Sequence, residues 1–454
     1  MNQSSGNQSK NVLFITTSNL TTNPRLLKEA SVAAANGYSV TILCFQYMGW
    51  SEMLDIQWMA ANKQIYVRKI SALAVKNGAW LFSGFIEKLF QLLYPLYKKT
   101  ISLNAYASSK RSFLLNNAIF NFSKQNSNTR FQLIVAHNMG SLYPAWLYHR
   151  KTNIPFIFDV EDYHPGEQIN IDATNEKHRR EFLLHKLLPD AACITVASPL
   201  IGERIKTLVG QGAIKNMVVI NNCFPADEFE FINSRTKGQN LNRNDNELGT
   251  NTFKFSHFQI DKIHFVWFSQ NIAANRGLEL IIPELSNAKD DVHLHLIGNL
   301  YDDFNREWIV PNHDFITTYP PMPQRELNRF ICQFDVGLAL ELAAADENRQ
   351  ICLTNKIWAY LQAGLYILAT NTTAQIGFMK EHEGNGSVFE VITTPVHEGT
   401  NAGNSLFTAL KYIIANIEEI RKAKRVRFTE AKKFAWEEEQ GKLLQVWDKI
   451  CGRF

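Results

Sequence analysis

The stretch NVLFITTSNLTTNPRLLKEASVAAANGYSVTIL, residues 11–43, decides the fold class. Residues 11–18 form a continuous apolar run that ends in hydroxyl groups, which is typical of a buried strand. Asn23 and Pro24 then start a helix, and Gly37 lies just past its end, the usual placement of a capping amide, an N-terminal proline and a C-terminal glycine. Residues 38–45 predict a second strand. A βαβ unit of continuous apolar strands predicts a parallel sheet covered on both faces.

The same alternation recurs along the chain in two series. The first continues with strands at residues 131–137, 154–160, 191–198 and 217–222, and the second has strands at 263–270, 292–298 and 335–342. Between the series, residues 234–260 are polar and rich in asparagine, as in a linker or surface insertion. Because 454 residues are too many for one ordinary core, we expect two Rossmann-like domains, residues 1–233 and 261–454. The tail is predicted to be helical and can cross back to the first domain.

Composition excludes several classes of protein. The net charge of +4 is too small for the basic surface of a nucleic-acid binder, so we expect no nucleic-acid partner. Six cysteines are scattered without a CxxC pair, which argues against structural zinc and against a disulfide framework. The apolar run near the N-terminus is too short for a signal peptide, so a cytoplasmic location is expected.

The stretch AWLFSGFIEKLFQLLYPLYKK, residues 79–99, allows two interpretations. It is rich in aromatic and aliphatic residues, but Glu87, Lys88 and Pro95 make it a poor spanning helix. One interpretation is a pair of core helices. The other is a segment that lies on a membrane surface, which would place the protein at the inner face of the plasma membrane.

Ligands of open parallel sheets bind beyond the carboxyl ends of the strands. In the first domain the candidates at these ends are Ser18, Asn19, His137, Asn138, Glu161 and Asp162. The hydroxyl and amide groups of the loop at residues 16–23 suit a polyol such as a sugar, and the carboxylates and histidine of residues 158–167 can bind a metal or act as acid and base. His137 stands where a group can meet a substrate, but a lone histidine at a strand end is more often structural. The loop at residues 16–23 is equally compatible with an ordinary polar turn. No spacing of histidines and carboxylates supports a metal site, and we expect neither a metal nor a cofactor.

In the second domain two basic residues stand at predicted helix starts. Arg276 and Gly277 follow a strand directly, and Lys356 begins the helix of LTNKIWAYLQAGLYILAT, residues 353–370. A cation beside free backbone N–H groups can bind phosphate, and two such positions suggest a pyrophosphate. There is neither a Walker loop nor a G-x-G-x-x-G fingerprint, so a nucleotide-sugar is the natural candidate ligand.

Five segments together resemble the glycosyltransferases of the GT-B fold, close to retaining family 4. They follow the family's order and span both domains: the stretch at residues 11–43, LIVAHNMGSLYPAWL (133–147), IPFIFDVEDYHPGE (154–167), FVWFSQNIAANRGLELI (265–281) and LTNKIWAYLQAGLYILAT (353–370). The resemblance implies an α/β GT-B fold, in which two Rossmann-like, doubly wound parallel-sheet domains face each other across a cleft. It also implies a donor-binding second domain and an acceptor-binding first domain.

Site roles follow from the resemblance. His137 and Asp162 are expected to be catalytic, and Ser18, Asn19, Asn138 and Glu161 to contact the acceptor. The expected donor contacts are Asn271, Arg276, Gly277, Glu341, Asn348, Asn355 and Lys356. The chain departs from the family at Ala359, where a glutamate usually holds the donor ribose, and at Asn271 and Tyr366, where Arg and Pro are usual. Glu341, Glu347 and Asn348 are candidates to supply sugar contacts instead.

The expected activity is metal-independent transfer of a sugar from a UDP- or GDP-sugar to a glycan or lipid-linked acceptor, in cell-surface polysaccharide biosynthesis. Family analogy suggests retention of the anomeric configuration. Two alternatives remain open at this point. One is a non-catalytic partner that binds a nucleotide-sugar or glycan and keeps the fold without the carboxylate at residue 359. The other is a GT-B-like epimerase that acts on the nucleotide-sugar itself.

Overall fold

The structure is a computed structural model of the full chain. It describes residues 10–47, 49–72, 78–126, 130–169, 172–232, 261–342, 346–391 and 405–452. The predicted linker, residues 234–260, lies outside the described residues. The chain divides into two compact units: unit 1 extends to Asn221 and takes up the chain again from Glu439, and unit 2 runs from Asn222 to Glu438.

Unit 1 contains a seven-stranded parallel sheet in the order β3-β2-β1-β4-β5-β6-β7. Its strands are β1 (Asn11–Thr16), β2 (Ser39–Gln46), β3 (Tyr66–Ser71), β4 (Leu133–His137), β5 (Phe156–Val160), β6 (Cys193–Val196) and β7 (Met217–Val219). Its helices are α1 (Pro24–Ala35), α2 (Trp50–Ala61), α3 (Gly78–Leu93), α4 (Ile101–Ser108), α5 (Lys110–Gln125), α6 (Met139–Thr152), α7 (Ala173–Leu187) and α8 (Pro199–Val209).

The first βαβ unit forms as the sequence predicts. The side chain of Asn23 accepts a hydrogen bond from the backbone N–H of Leu26 at 3.1 Å, which caps α1. Gly37 follows the helix with φ 81°, a left-handed conformation that favours glycine. Strand β1 then lies between β2 and β4, and all of its residues except Asn11 are buried, as expected for a central strand covered on both faces.

Unit 2 contains a six-stranded parallel sheet in the order β10-β9-β8-β11-β12-β13. Its strands are β8 (Ile263–Ile272), β9 (Val292–Leu300), β10 (Ile316–Tyr319), β11 (Val336–Ala339), β12 (Tyr366–Thr370) and β13 (Gly386–Phe389). Its helices are α9 (Leu278–Ser286), the single turn α10 (Asp302–Phe304), α11 (Gln324–Ile331), α12 (Glu347–Ile351), α13 (Asn355–Gln362), α14 (Thr373–Glu381), α15 (Leu406–Ala415) and α16 (Ile417–Ala431). Alternate residues of β8 enter two separate apolar clusters, one on each face of the sheet.

Three edge strands are not identified by the sequence patterns. These are β3, β10 and β13, each at the margin of its sheet. Strand β3 has no fully buried residue, and β10 and β13 have one each, Ile316 and Phe389. These three strands are mostly half-buried or exposed and lack the continuous apolar run that marks the central strands, which explains the omission. The other edge strand, β7, has no fully buried residue either, but its residues are all apolar and the sequence predicts it.

The last helix, α17 (Trp436–Cys451), contributes its residues from Glu439 onward to unit 1. Trp447 is fully buried and makes edge-on ring contacts with Phe14 of β1 and Tyr38 before β2. The Tyr38 hydroxyl donates to Asp448 at 2.7 Å. The end of the chain is thus part of the packing around the first sheet.

Helix α3 covers most of the apolar stretch at residues 79–99. Ser83 is the one buried residue in Gly78–Leu93, whereas Leu81, Phe85 and Leu92 are 64%, 61% and 75% exposed. The interpretation of this stretch as core helices is therefore wrong. Within the described part of the chain, no helix combines the length and the apolar character that a bilayer crossing requires.

Candidate functional site

Three neighbouring strands of unit 1 end at the same edge of the sheet. Thr16 of β1 pairs in register with His137 of β4, and His137 pairs with Asp159 of β5. Helix α1 begins directly beyond this edge, after the loop that follows β1. The topology therefore gathers polar groups that are far apart in the sequence, and they fall into a buried cluster and a more open pocket.

The buried cluster consists of Arg25 and Glu29 of α1 with His137 and Asp159, and we call it the ion quartet. The Nε and Nη2 atoms of Arg25 donate to the two carboxylate oxygens of Asp159, each at 2.8 Å. His137 Nε2 lies 3.4 Å from Glu29 Oε2, and its Nδ1 lies 3.3 Å from Asp159 Oδ2. All four side chains are at most 1% exposed. Thr195 adds a hydroxyl donor to Asp159 at 2.6 Å.

Burial and charge pairing set the protonation of the quartet. Burial alone would lower the pKa of His137, but the Glu29 and Asp159 carboxylates outweigh it and raise that pKa to about 10. Burial would raise the pKa of Asp159, whereas Arg25 and His137 hold it well below its usual range. With His137 protonated, two positive and two negative charges cancel. The quartet is a closed and neutral unit at physiological pH.

One ligand atom from each of Glu29, His137 and Asp159 lies within 4.8 Å of the others, which raises the question of a metal. These residues do not fit one. Both carboxylate oxygens of Asp159 already accept hydrogen bonds from the guanidinium of Arg25, which stands where a metal cation would have to bind. A divalent cation would also add uncompensated charge to a buried unit that is already neutral.

Two predicted contact residues of unit 1 are removed from the surface. His137 is 1% exposed, and its two ring nitrogens face Glu29 and Asp159 of the quartet. Its contact with a substrate stays a prediction. Asn19 is fully buried, donates to Asp55 at 3.4 Å and accepts a hydrogen bond from Thr22. Its amide stabilises the polar loop itself and is not available to an acceptor.

A pocket of about 190 Å³ lies beside the quartet within unit 1. Its wall is formed by Thr17, Ala105, Ser108, Ser109, Ser112, Asn138, Met139, Gly140, Tyr143, His164, Glu176, Arg180 and Leu183. Asn138 has φ 69° and accepts a hydrogen bond from the Thr16 hydroxyl, which fixes its amide at the pocket wall. A side chain at Gly140 would come within 2.8 Å of Thr17, so glycine is needed there for close packing. The pocket is lined mainly by hydroxyl, amide and charged groups.

One wall of this pocket is an ion-paired chain. His164 Nδ1 lies 2.9 Å from Glu167, and Arg180 contacts Glu167 and Glu176, each at 2.8 Å. Burial would lower the pKa of His164, but Glu167 raises it above its ordinary value. The wall therefore presents charges of both signs. The ion pair between Glu167, in the loop after β5, and Arg180 of α7 helps to hold these charges in place.

The loop after β5 holds the remaining candidates of unit 1. Glu161 and Asp162 are half-buried directly beyond the end of the strand. Burial, followed by the charges of Asp162 and Asp159, raises the pKa of Glu161 to about 7. Ser18 is half-buried in the loop after β1, where its N–H donates to Thr16 at 3.1 Å. Burial and the neighbouring negative charges thus favour the protonated form of Glu161 more than in an ordinary glutamate.

In unit 2, β8 and α9 are joined by the loop that holds Arg276. Gly277 has φ 84° and precedes α9, and a side chain there would come within 3.0 Å of Leu340. The N–H of Asn275 donates to Glu279, and Arg349 of α12 contacts the carbonyl of Asn275 at 3.5 Å. The loop is consequently packed against the end of β11, and Arg276 is half-buried beside it.

Glu341 and Lys356 form an ion pair beyond the ends of β11 and β12. The Lys356 Nζ lies 2.8 Å from Glu341 Oε1, with side chains 15% and 10% exposed, and 5.9 Å from the centre of the Trp267 ring. The Thr370 hydroxyl accepts from the Glu341 N–H at 3.0 Å and donates to the Glu341 carbonyl at 2.7 Å. Glu341 is therefore fixed by its backbone, and it holds Lys356 at the start of α13.

The other predicted residues of unit 2 lie on separate elements. Asn271 is half-buried at the end of β8, Asn348 is buried in α12, and Asn355 is the half-buried first residue of α13. Ala359 is fully buried in the apolar cluster of unit 2, so the helix presents no carboxylate at that position. The structure thus brings Glu341 and Lys356 into contact.

Sequence patterns missed Arg25 and Glu29. Both lie in the first helix, four residues apart, where charged side chains usually face solvent. A usable signal was present, since an arginine and a glutamate share a face that is otherwise apolar in residues 24–35. That spacing predicts an ion pair on the buried side of the helix.

No protein-family model matches the sequence, and no curated protein is significantly similar to it. Comparison with solved structures finds a sucrose-phosphate synthase from Thermosynechococcus elongatus with a TM-score of 0.66, at 12% identity over 98% of this chain and 100% of that one. The chain has the GT-B fold. The catalytic domain of starch synthase IV from Arabidopsis thaliana, bound to ADP and acarbose, gives 0.59 at 11% identity, over 98% of this chain and 100% of that one. Anabaena HepE in complex with UDP-glucose gives 0.57 at 13%, over 97% and 99%.

These identities are low enough that the likeness concerns the fold alone. The GT-B fold expected from the sequence is confirmed, with two parallel-sheet units of seven and six strands in the described residues. Activity has to be argued from the site residues themselves.

Proposed function

We propose that the protein is a glycosyltransferase that moves a sugar from a nucleoside diphosphate sugar to a glycan or lipid-linked acceptor. The observation that carries this proposal is the Glu341–Lys356 pair at the carboxyl edge of the unit 2 sheet, in a protein with the GT-B fold. Similar folds are recorded with UDP, UDP-glucose and ADP. We further propose a cytoplasmic protein of cell-surface polysaccharide biosynthesis, related to retaining family 4.

On the donor side, we assign the pyrophosphate to Arg276, Gly277 and Lys356. The leaving group is a diphosphate, whose departure requires positive charge and N–H donors, and both basic residues stand at helix starts. Glu341 accepts from Lys356 and keeps the ammonium in place before the donor arrives. We assign sugar or ribose contacts to Glu341, Asn271, Asn348 and Asn355, since Ala359 supplies none. The proposed mechanism uses no metal.

On the acceptor side, we assign the polar pocket of unit 1. Asn138 lines it, and Ser18, Glu161 and Asp162 lie at the same edge of the sheet. A volume of about 190 Å³ is smaller than the roughly 300–1,000 Å³ of pockets for drug-sized ligands, which suits a single sugar ring. Glu161, with a pKa of about 7, is suited to contact a hydroxyl that changes its protonation during transfer. His137 acts through the quartet as a positioning residue.

The test is a screen of UDP-, GDP- and ADP-sugars by thermal unfolding. A donor at a hundredfold excess over its Kd should stabilise the protein by about 2.7 kcal/mol. Arg276→Ala should abolish this stabilisation, whereas Arg306→Ala, a change at a 72% exposed arginine of the same unit, should leave it intact. If no nucleotide-sugar raises the unfolding temperature of the wild-type protein, the proposal is wrong.

Product analysis separates the alternatives once a donor is known. A transferase yields a free nucleoside diphosphate and a glycosylated acceptor or, without acceptor, free sugar. An epimerase returns a nucleotide-sugar or sugar of altered configuration. A binding partner is stabilised by the donor but consumes none of it, which would contradict the assignment of catalysis.

A further inference from the structure

Helix α3 presents an apolar surface to solvent. Leu81, Phe85 and Leu92 are 64%, 61% and 75% exposed, although large apolar side chains in a helix of this length usually face a core. Leu96 and Tyr97, in the turn that follows, are 75% and 53% exposed. Contiguous exposed apolar residues of this kind mark an interaction surface.

The exposed residues form one stripe. Leu81, Phe85, Lys88 and Leu92 are spaced i, i+4, i+7 and i+11, which places them along a single face of an α-helix. We call these four residues the outer stripe. It combines long apolar side chains with one cation, and Lys88 is exposed on it.

The opposite face anchors the helix to unit 1. Phe90 stacks on Tyr106 of α4 with ring centres 6.0 Å apart, and Gln91 donates to the carbonyl of Ala107 at 3.0 Å. The Glu87 carboxylate accepts from the N–H of Lys110 at 3.0 Å. The outer stripe is therefore held facing outward by contacts on the other side of the same helix.

The charges around the outer stripe indicate which kind of surface it binds. Residues 78–99 contain three lysines, Lys88, Lys98 and Lys99, and one acid, Glu87. All three lysines are exposed, whereas Glu87 is directed toward the start of α5. An apolar stripe with lysines on its flank is the composition that inserts into the interface of an anionic bilayer, because the long lysine stems let the ammonium groups reach the headgroups.

We propose that the outer stripe of α3 docks on an anionic membrane surface. The helix would lie in the plane of the interface, with Leu81, Phe85 and Leu92 among the lipid chains and Lys98 and Lys99 at the headgroups. This deepens the proposed function and rests on it for the acceptor class. Helix α3 packs on α4, whose end supplies Ser108 to the polar pocket, so docking brings that pocket close to a lipid-linked sugar.

The experiment is co-sedimentation of the full-length protein with vesicles of phosphatidylcholine alone or mixed with phosphatidylglycerol. The wild-type protein should sediment with the mixed vesicles and much less with phosphatidylcholine. Phe85→Asp/Leu92→Asp should reduce binding to the mixed vesicles at least tenfold. The matched control, Ile376→Asp/Val426→Asp, changes apolar residues of unit 2 that are 48% and 58% exposed and should bind as the wild type does.

A second pair of variants tests the electrostatic part. Lys98→Gln/Lys99→Gln should weaken binding to mixed vesicles about tenfold, since each lysine near an anionic surface contributes to attraction. Lys380→Gln/Lys422→Gln, at exposed lysines of unit 2, should not. Raising the salt concentration should reduce the difference in vesicle binding between these two double variants.

Donor stabilisation, measured on the same variants, separates this inference from the proposed function. Stripe variants should lose vesicle binding and keep stabilisation by the donor. Donor stabilisation without vesicle binding by the wild type overturns the membrane inference alone. Vesicle binding without any effect of donors leaves it standing and contradicts the proposed function. Loss of a dimer in Phe85→Asp/Leu92→Asp, with no vesicle binding by the wild type, would identify the stripe as a contact between two copies of this chain.

Discussion

The ion quartet of unit 1 and the Glu341–Lys356 pair of unit 2 are both charged clusters beyond the carboxyl ends of parallel strands. They differ in what their charges can still do. The quartet is at most 1% exposed and each carboxylate already faces two cations. Lys356 has one carboxylate partner and keeps 15% of its side chain exposed.

This difference teaches that a polar cluster at a strand end is not by itself a ligand site. Desolvated ions that are paired with one another stabilise the fold and position the loops above them, because each charge is already balanced by an opposite one. Glu341 and Lys356 form one ion pair with each other, and Lys356 can exchange this ionic contact for one with a phosphate. We therefore expect mutations in the quartet to affect stability and mutations in the pair to affect donor binding.

The largest effect is expected from Asp159→Asn. The change leaves Arg25 and a protonated His137 buried with one carboxylate between them, and removal of one partner from a buried ion network costs about 3–5 kcal/mol. Urea unfolding measures this free energy. Glu419→Gln, at a carboxylate that is 72% exposed, is the control and should leave the unfolding midpoint unchanged. A midpoint for Asp159→Asn equal to that of the control would show that the quartet does not stabilise unit 1.

A smaller effect, on binding rather than folding, is expected from Lys356→Met. Loss of a charged hydrogen bond to phosphate costs about 1.5–3 kcal/mol, which corresponds to donor binding that is about 10- to 100-fold weaker. Isothermal titration with the donor gives the Kd. Lys380→Met, at an exposed lysine of the same unit, should bind normally. Unchanged affinity in Lys356→Met would remove this residue from the donor site.

The effect that is smallest per experimental step, here one pH unit, is expected from pH. Unfolded His137 releases its proton near pH 6.5, whereas the folded protein holds it until about pH 10. Between these values the native state binds more protons, so the free energy of unfolding should fall as pH rises, by up to about 1.4 kcal/mol per pH unit for one proton. Unfolding in urea at several pH values within this window measures the slope.

The double variant Glu29→Gln/His137→Gln is the comparison for this pH profile, because it removes one charge of each sign. Lys424 titrates in both proteins: burial lowers its pKa to about 8, so its contribution to stability rises with pH between that value and its ordinary 10.5. The difference between the two profiles therefore isolates His137. If the wild type and the double variant have parallel profiles, His137 is not protonated in the native state.

Local patterns were sufficient for the elements that lie in the centre of each sheet. The cap at Asn23 and the left-handed conformation of Gly37 follow from residues within a few positions of one another. The helix that carries Lys356 was also predicted from its own segment, and it begins at Asn355. Strands β3, β10 and β13 were not predicted because few of their residues are buried and their sequences lack a continuous apolar run.

The sequence by itself determined two parallel-sheet units and the polar residues at their strand ends, since apolar periodicity and capping residues act over short distances. Only the tertiary structure decided what those residues face. His137 contacts Glu29, which lies more than a hundred positions earlier, and Lys356 at the start of α13 contacts Glu341, which follows β11. It also turned the apolar face of α3 outward. The type of an apolar residue does not show whether its side chain is buried or exposed, because burial depends on packing between segments that are distant in the sequence.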